Sequence, residues 1–266
     1  MPFSEVNGVR LFYTDEGIGQ PVLLVHGTGC DSYDWNYQLP ALLPGYRVIA
    51  ADRRGHGHSS APESGYSARQ EANDLAQLLE NVGAERTVAI GHSTGGGVVA
   101  ALAAEFPDKV RALVAVDPSY GIPPAARVAF EGISAGLAGP DGHEVYRSLF
   151  DGFYTPSSPP HLRPWHTRRI YSVPKHALAA AVRETALAED QFFFSPQTEQ
   201  LLGRVSCPVL TIRRVGEGLP TPAWDLAQFQ HPYSKSLAWS DCGHWPHQER
   251  PDDFNDILVE WLQGLS

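Results

Sequence analysis

The sequence predicts an α/β chain with a mostly parallel central sheet and helices on both of its faces. Three observations carry that expectation. Short apolar runs suited to buried strands alternate with segments of helical periodicity. Several of those runs stop at glycine, as PVLLVHG (21–27) does. The alternation breaks at Pro118, gives way to a Pro- and Gly-rich stretch, and resumes after Leu202.

In order, VRLFYTDEG (9–17) reads as a strand ending in a turn. PVLLVHG is apolar without alternation, as expected of a strand covered on both faces. YRVIAADRRGHG (46–57) repeats that form. In SARQEANDLAQLLENVG (67–83), Ala72, Leu75, Leu78, Leu79 and Val82 share one helical stripe, and Gly83 ends it. TVAIGHS (87–93) is the next strand, GGVVAALAAEFP (96–107) a helix stopped by Pro107, and VRALVAVD (110–117) a strand again. CPVLTIRR (207–214) and KSLAWSDCG (235–243) restore the strand pattern, and PDDFNDILVEWLQG (251–264) closes the chain as an amphipathic helix. Residues 1–117 and 203–266 are therefore expected to form one core domain. Residues 118–202 are expected to form an inserted helical lid over the carboxyl ends of the strands, where parallel sheets bind ligands.

Of the 266 residues, 42% are hydrophobic and 19% charged, which suits a globular chain with a sizeable core. The formal net charge of −10 disfavours nucleic acid or an anionic membrane as partner. HLRPWHTRR (161–169) is the nearest thing to a basic cluster and reads as a solvated helix face. No apolar run approaches the roughly 18 residues of a membrane span. The start MPFSEVNGVRLFY lacks a basic patch followed by an apolar stretch, so a cytoplasmic protein is expected. Cys30, Cys207 and Cys242 have no metal-ligand spacing and read as reduced, packed thiols. Neither a metal nor another cofactor is expected.

The chemistry centres on VAIGHSTGGG (88–97). Gly91-x-Ser93-x-Gly95 fits a strand-to-helix elbow that lifts a serine above the sheet edge. The glycines permit the bend, and the following helix directs its free N–H groups at whatever reacts with the serine. A serine hydroxyl is a weak nucleophile without a base. Of eleven histidines, His244 stands in a Gly-bounded loop between the last strand and the last helix, after the serine in chain order. His247, three residues on, reads as a brace for that loop.

Two carboxylates compete for the role of orienting His244. Asp117 ends a buried strand, an awkward place for a carboxylate without a partner, although Asp-Pro also starts turns. Glu217 lies just past the next strand, in a segment with Arg213 and Arg214. Asp117 is preferred and Glu217 stays the alternative. An oxyanion hole is expected from the N–H of Thr94, after the nucleophile, and that of Thr28, in the loop after LLVHG. His26 reads as a brace for that loop, and DRRGHGHS (52–59) as a structural bend. Tyr33, Trp35, Tyr154 and Trp165 are candidate pocket residues, which would give an aromatic-lined, medium-sized pocket.

Together HGTG (26–29), DRRGHGHS, GHSTGGG (91–97) and GHWPHQERPDDF (243–254) resemble the α/β-hydrolase superfamily. GHSTGGG is closest to its serine esterase, lactonase and cofactor-free haloperoxidase branch. The resemblance implies an α/β-hydrolase fold with Ser93 and His244 catalytic. In most of that branch the acid is an aspartate in a Gly-x-x-Asp loop after the strand at 208–212, and here that aspartate is absent. Glu217 stands near its place, as in acyl-homoserine lactone hydrolases. Asp117 stands where fungal zearalenone lactonases carry the acid. Epoxide hydrolases and haloalkane dehalogenases of this fold carry an aspartate nucleophile, and a serine at 93 argues against both.

The expected function is metal-free hydrolysis of a small-molecule carboxylic ester or lactone through an acyl-enzyme, with a bulky cyclic or aromatic substrate preferred. Carbon–carbon bond hydrolysis of a diketone, perhydrolysis or haloperoxidation, and ligand reception without catalysis are the alternatives. A homodimer joined through the lid is the assembly suggested by analogy with the fold.

Overall fold

Eight strands form one sheet in the computed structural model, which describes residues 2–265. They are β1 (Phe3–Val6), β2 (Val9–Glu16), β3 (Gln20–Val25), β4 (Tyr46–Ala51), β5 (Thr87–His92), β6 (Val110–Val116), β7 (Val209–Arg214) and β8 (Lys235–Trp239). Their spatial order is β1-β2-β4-β3-β5-β6-β7-β8. The pairs β1/β2 and β2/β4 are antiparallel, and all the others are parallel.

β1 was not anticipated. Its hairpin with β2 turns on Asn7 and Gly8, both at positive φ (44° and 78°), with Val6 opposite Val9. Asn-Gly is the residue pair that tolerates such a two-residue turn.

The apolar runs have no alternation because the parallel strands bury both faces. Leu23, Val25, Ile49 and Ala89 pack under the helices Ala68–Asn81 and Thr94–Glu105. Val22, Leu24, Val48, Ile90 and Val114 pack on the opposite side against Trp35 and the closing helix Pro251–Gln263, through Phe254, Leu258 and Trp261. Side chains one residue apart point to opposite faces, so each run feeds two cores at once.

The segment 118–202 contains four longer helices, Arg127–Ala138, Gly142–Asp151, Leu162–Ser172 and Lys175–Leu187. Leu137, Tyr146, Phe150, Ile170 and Leu178 from this segment form a core of their own, joined by Cys30, Tyr66 and Trp245 from outside it. Its two ends are tied together: Ile122 N–H donates to Phe193 O (3.2 Å) and Ser195 N–H to Ile122 O (3.1 Å). Among the described residues no helix is long and apolar enough to cross a membrane.

Candidate active site

β5 delivers Ser93 to the carboxyl edge of the sheet. The strand stops at His92, and Ser93 takes φ 55°, ψ −124° before the helix Thr94–Glu105 begins. Such a conformation costs an L-residue on the order of 1–3 kcal/mol. The turn closes because its flanks lack side chains. A Cβ on Gly91 would overlap the Gly95 backbone, and one on Gly95 would overlap the carbonyls of Val25 and His26.

Ser93, His244 and Asp117 form one hydrogen-bonded series. His244 Nε2 lies 2.9 Å from Ser93 Oγ, and His244 Nδ1 lies 2.5 Å from Asp117 Oδ2. With the carboxylate facing Nδ1, that nitrogen carries the proton and Nε2 offers its lone pair to the serine. Asp117 follows β6 directly at φ 37°. Its Oδ1 accepts the Arg214 N–H (3.2 Å), and Arg214 Nε lies 3.1 Å from Oδ2. Glu217 lies on the exposed loop after β7, at the rim of the same cavity. The structure thus puts Asp117, and not Glu217, on the His244 ring.

The loop carrying His244 is fixed through its backbone. His244 N–H donates to Phe153 O (3.0 Å), and its carbonyl accepts from His92 Nε2 (2.7 Å). Glu249 receives Gly243 N–H (2.9 Å), Trp245 N–H (3.3 Å) and the Ser158 hydroxyl (2.6 Å). Behind this loop, burial holds His92 and His247 well below the usual imidazole value. Burial also pushes His166 down to about 3 and raises Asp34 to about 6, in spite of the neighbouring Arg169 guanidinium. Asp34, His92 and His247 bring three metal-ligand atoms within 4.8 Å of one another. Arg169 already pairs with Asp34 there, and its charge opposes a second cation.

The two expected oxyanion donors are placed differently. Thr94 N–H is the first of its helix and has no intrahelical partner. Thr28 N–H donates instead to the Thr94 side chain, at 2.9 Å from Oγ1. The loop carrying Thr28 is braced as expected of His26: its Nδ1 faces Gly27 O (2.7 Å), and Arg53 N–H donates to its Nε2 (2.9 Å). His56 Nε2 accepts Gly29 N–H (3.0 Å).

A cavity of about 650 Å³ opens on Ser93, Asp117 and His244. Its far wall comes from the segment 118–202, with Ile122, Phe130, Ile133, Leu149, Val182 and Phe193. The four aromatic residues expected to line a pocket do not line this one. Trp35 is fully buried against His247, with ring centroids 4.6 Å apart. Tyr154 bonds to His166 Nδ1 (2.7 Å), Trp165 stacks on Tyr37, and Tyr33 is 59% exposed. These rings pack the insertion onto the core or face outward. The helices at 127–138 and 175–187 supply much of the wall, together with Leu149, Phe193 and the turn at Ile122 and Pro123.

Three neighbours were missed in the sequence. Arg214, which stands in the same segment as Glu217, pairs instead with Asp117. Ser119, two residues after Asp117, sets its Oγ 3.2 Å from Ser93 Oγ. The ring of Phe153 lies 4.7 Å from that of His244. Only Ser119 had a local signal, its place in the turn DPSYG; the others depend on how the insertion and β7 fold back.

Comparisons with known proteins agree with this architecture. A family model described as alpha/beta hydrolase fold matches residues 20–143. Epoxide hydrolase A of Mycobacterium tuberculosis (strain ATCC 25618 / H37Rv) is 31% identical over 98% of this chain and 96% of its own. A non-heme haloperoxidase of Rhodococcus erythropolis is 45% identical over 38% of this chain and 37% of its own. The chain spans about half the length, or less, of several curated relatives. A thermophilic esterase from Thermogutta terrifontis superposes with TM-score 0.84 at 27% identity, over 100% of this chain and 97% of that one. With eight strands in this order, the serine at the β5 elbow and a full-length relative above 30% identity, this chain is an α/β hydrolase and belongs to that family.

Proposed function

We propose that the chain is a serine hydrolase of carboxylic esters or lactones. The observation that carries the reading is the unbroken series Ser93 Oγ–His244 Nε2–His244 Nδ1–Asp117, at 2.9 and 2.5 Å. Ser93 attacks the acyl carbon while His244 Nε2 takes its proton, and Asp117 stabilises the resulting imidazolium. The tetrahedral oxyanion is held from the start of the helix Thr94–Glu105. Its collapse expels the alcohol, which leaves with the proton from His244. Water, deprotonated by the same imidazole, then releases the acid and restores Ser93.

The nucleophile separates this reading from the epoxide hydrolysis named for several relatives. A carboxylate opening an epoxide leaves an ester that water can cleave. A serine doing so would leave an ether, which the triad cannot hydrolyse. The apolar wall around Phe130, Ile133, Leu149 and Phe193 suits a bulky acyl or lactone ring.

The haloperoxidase relative favours one second reading, in which hydrogen peroxide replaces water on the acyl-enzyme and a peracid is formed. One experiment tests both. A fluorophosphonate probe, with the adduct located by peptide mass spectrometry, is expected to label Ser93 stoichiometrically. Turnover of p-nitrophenyl esters and aryl lactones is expected to fall at least ~10³-fold in Ser93→Ala. Labelling elsewhere, or full turnover by Ser93→Ala, overturns the proposal. Acetate- and peroxide-dependent bromination faster than ester cleavage would favour the second reading.

A further inference from the structure

Ser93 has a second hydroxyl against it. Ser119 Oγ lies 3.2 Å from Ser93 Oγ, and Ser119 lines the same cavity. The turn after β6 fixes it there. Ser93 N–H donates to Val116 O (2.9 Å), and Ser119 N–H donates back to Ser93 O (2.9 Å). Between them Pro118 packs so closely on the elbow that a Cβ on Gly96 would lie 2.6 Å from Pro118 Cβ. Pro118 O accepts from Arg213 Nη1 (3.3 Å), and that buried guanidinium is itself held by Asp225 at 2.8 and 2.9 Å.

Proton counting gives the contact its direction. His244 Nδ1 keeps its proton for Asp117, so Nε2 receives the single proton of the Ser93 hydroxyl. Ser93 has none left to donate, and Ser119 must be the donor to Ser93 Oγ. Among the described residues Ser119 Oγ has no other hydrogen-bond partner. This bond follows the charge on Ser93 Oγ. It is present in the free enzyme, where Oγ is a hydroxyl oxygen. It is lost in the acyl-enzyme, where the lone pairs of Oγ are delocalised into the new carbonyl and the ester oxygen accepts poorly. It returns as Oγ leaves the second tetrahedral intermediate and gains negative charge. A bond absent from a ground state and present in the transition state that follows lowers the barrier between them. The same bond, already made in the free enzyme, gives no such gain to the first attack.

We infer that Ser119 is a catalytic residue for deacylation, through a hydroxyl that donates to Ser93 Oγ as that oxygen departs. In that step water has added to the acyl carbon and given a proton to His244. The bond from the acyl carbon to Oγ then breaks, its electron pair goes to Oγ, and the imidazolium returns the proton to Oγ. Ser119 keeps its own proton throughout. The inference rests on the ester-hydrolase reading above.

The test uses Ser119→Ala, with Ser119→Thr to restore a hydroxyl. Stopped-flow release of p-nitrophenol from p-nitrophenyl butyrate reads acylation in the burst and deacylation in the steady phase. Ser119→Ala is expected to lose about 10-fold or more in deacylation. Acylation, and phosphonylation of Ser93 by a fluorophosphonate, are expected to stay within about threefold of wild type. kcat and KM then fall together while kcat/KM is kept, a split that a merely structural loss would not give. Ser119→Thr is expected to recover most of the loss. Should Ser119→Ala fail to fold, Ser119→Cys, with its weaker S–H donor, is expected to show the same split to a smaller degree. An unchanged deacylation rate, or equal losses in acylation and deacylation, overturns the inference and leaves the hydrolase reading intact. A wild type that neither turns over the ester nor reacts with the fluorophosphonate overturns both.

Discussion

Arg214 reaches the carboxylate of Asp117 twice, with its backbone N–H 3.2 Å from Oδ1 and its Nε 3.1 Å from Oδ2. The acid that faces His244 is therefore shared with a cation at the end of β7. Arg214→Gln keeps the backbone bond and removes the charge. With that charge gone, the backbone bond alone holds the carboxylate beside His244, so kcat on p-nitrophenyl butyrate is expected to fall about 3- to 10-fold with KM changed less than about twofold. Steady-state kinetics check this, and a wild-type kcat would contradict it.

Asp117→Asn is expected to lower kcat by about 10³–10⁴-fold, because an amide no longer fixes the Nδ1–H tautomer. Glu217→Gln, at the exposed rim, is expected to stay within about threefold of wild type. Measuring both variants on one ester separates the two carboxylates left open by the sequence.

Val182 stands on the insertion side of the cavity. Val182→Phe would fill that space and spare the triad. KM for an aryl or medium-chain ester is expected to rise ~10-fold or more, with the acetate ester changed less than about threefold. Equal effects on both substrates would place the acyl group elsewhere.

Five buried imidazoles make the fold sensitive to acid. Burial lowers His26, His92 and His247 well below their ordinary value, and His56 and His166 to about 3. Below pH ~6.5 the unfolded chain takes up protons on these rings and the folded chain does not, so stability falls as pH falls. Each therefore adds to the loss of stability as the pH falls below about 6.5. Burial also raises Asp34, to about 6, and Asp31, Glu71 and Asp74, and these four carboxylates work the other way, but only once the pH has fallen into the range in which the imidazoles already act. Urea unfolding from pH 7 to 4 is expected to show a steep loss of stability. His166→Gln, which leaves no ring to protonate, is expected to flatten that slope.

The strands and the pair Ser93–His244 were legible because their signals are local. A buried parallel strand announces itself by its composition, and the β5 elbow needs its flanking glycines for steric reasons. The β1–β2 hairpin was legible too, in Asn7-Gly8, but a four-residue strand left too short a run to be noticed beside that turn. The choice of acid was not local. Asp117 and Glu217 differ in which β-strand end faces the His244 loop, and that depends on how β6, β7 and β8 line up in register. The pocket was legible least of all. Aromatic residues are conspicuous in a sequence, yet Trp35 packs in the sheet core and Tyr154 and Trp165 pack the segment 118–202 onto it, whereas Ile122, Phe130, Ile133, Val182 and Phe193 form the wall.

Seating the acid on β6 also changes how this scaffold can diversify. Ser93 and Asp117 follow adjacent strands, paired from Thr87 to His92, and the mostly exposed loop from 215 to 219 holds none of Ser93, His244 and Asp117. That loop still borders the cavity through Glu217, Gly218 and Leu219. It can be lengthened, shortened or randomised at the mouth without breaking the proton path, so a selection for new substrates has an evolvable rim next to chemistry that stays fixed.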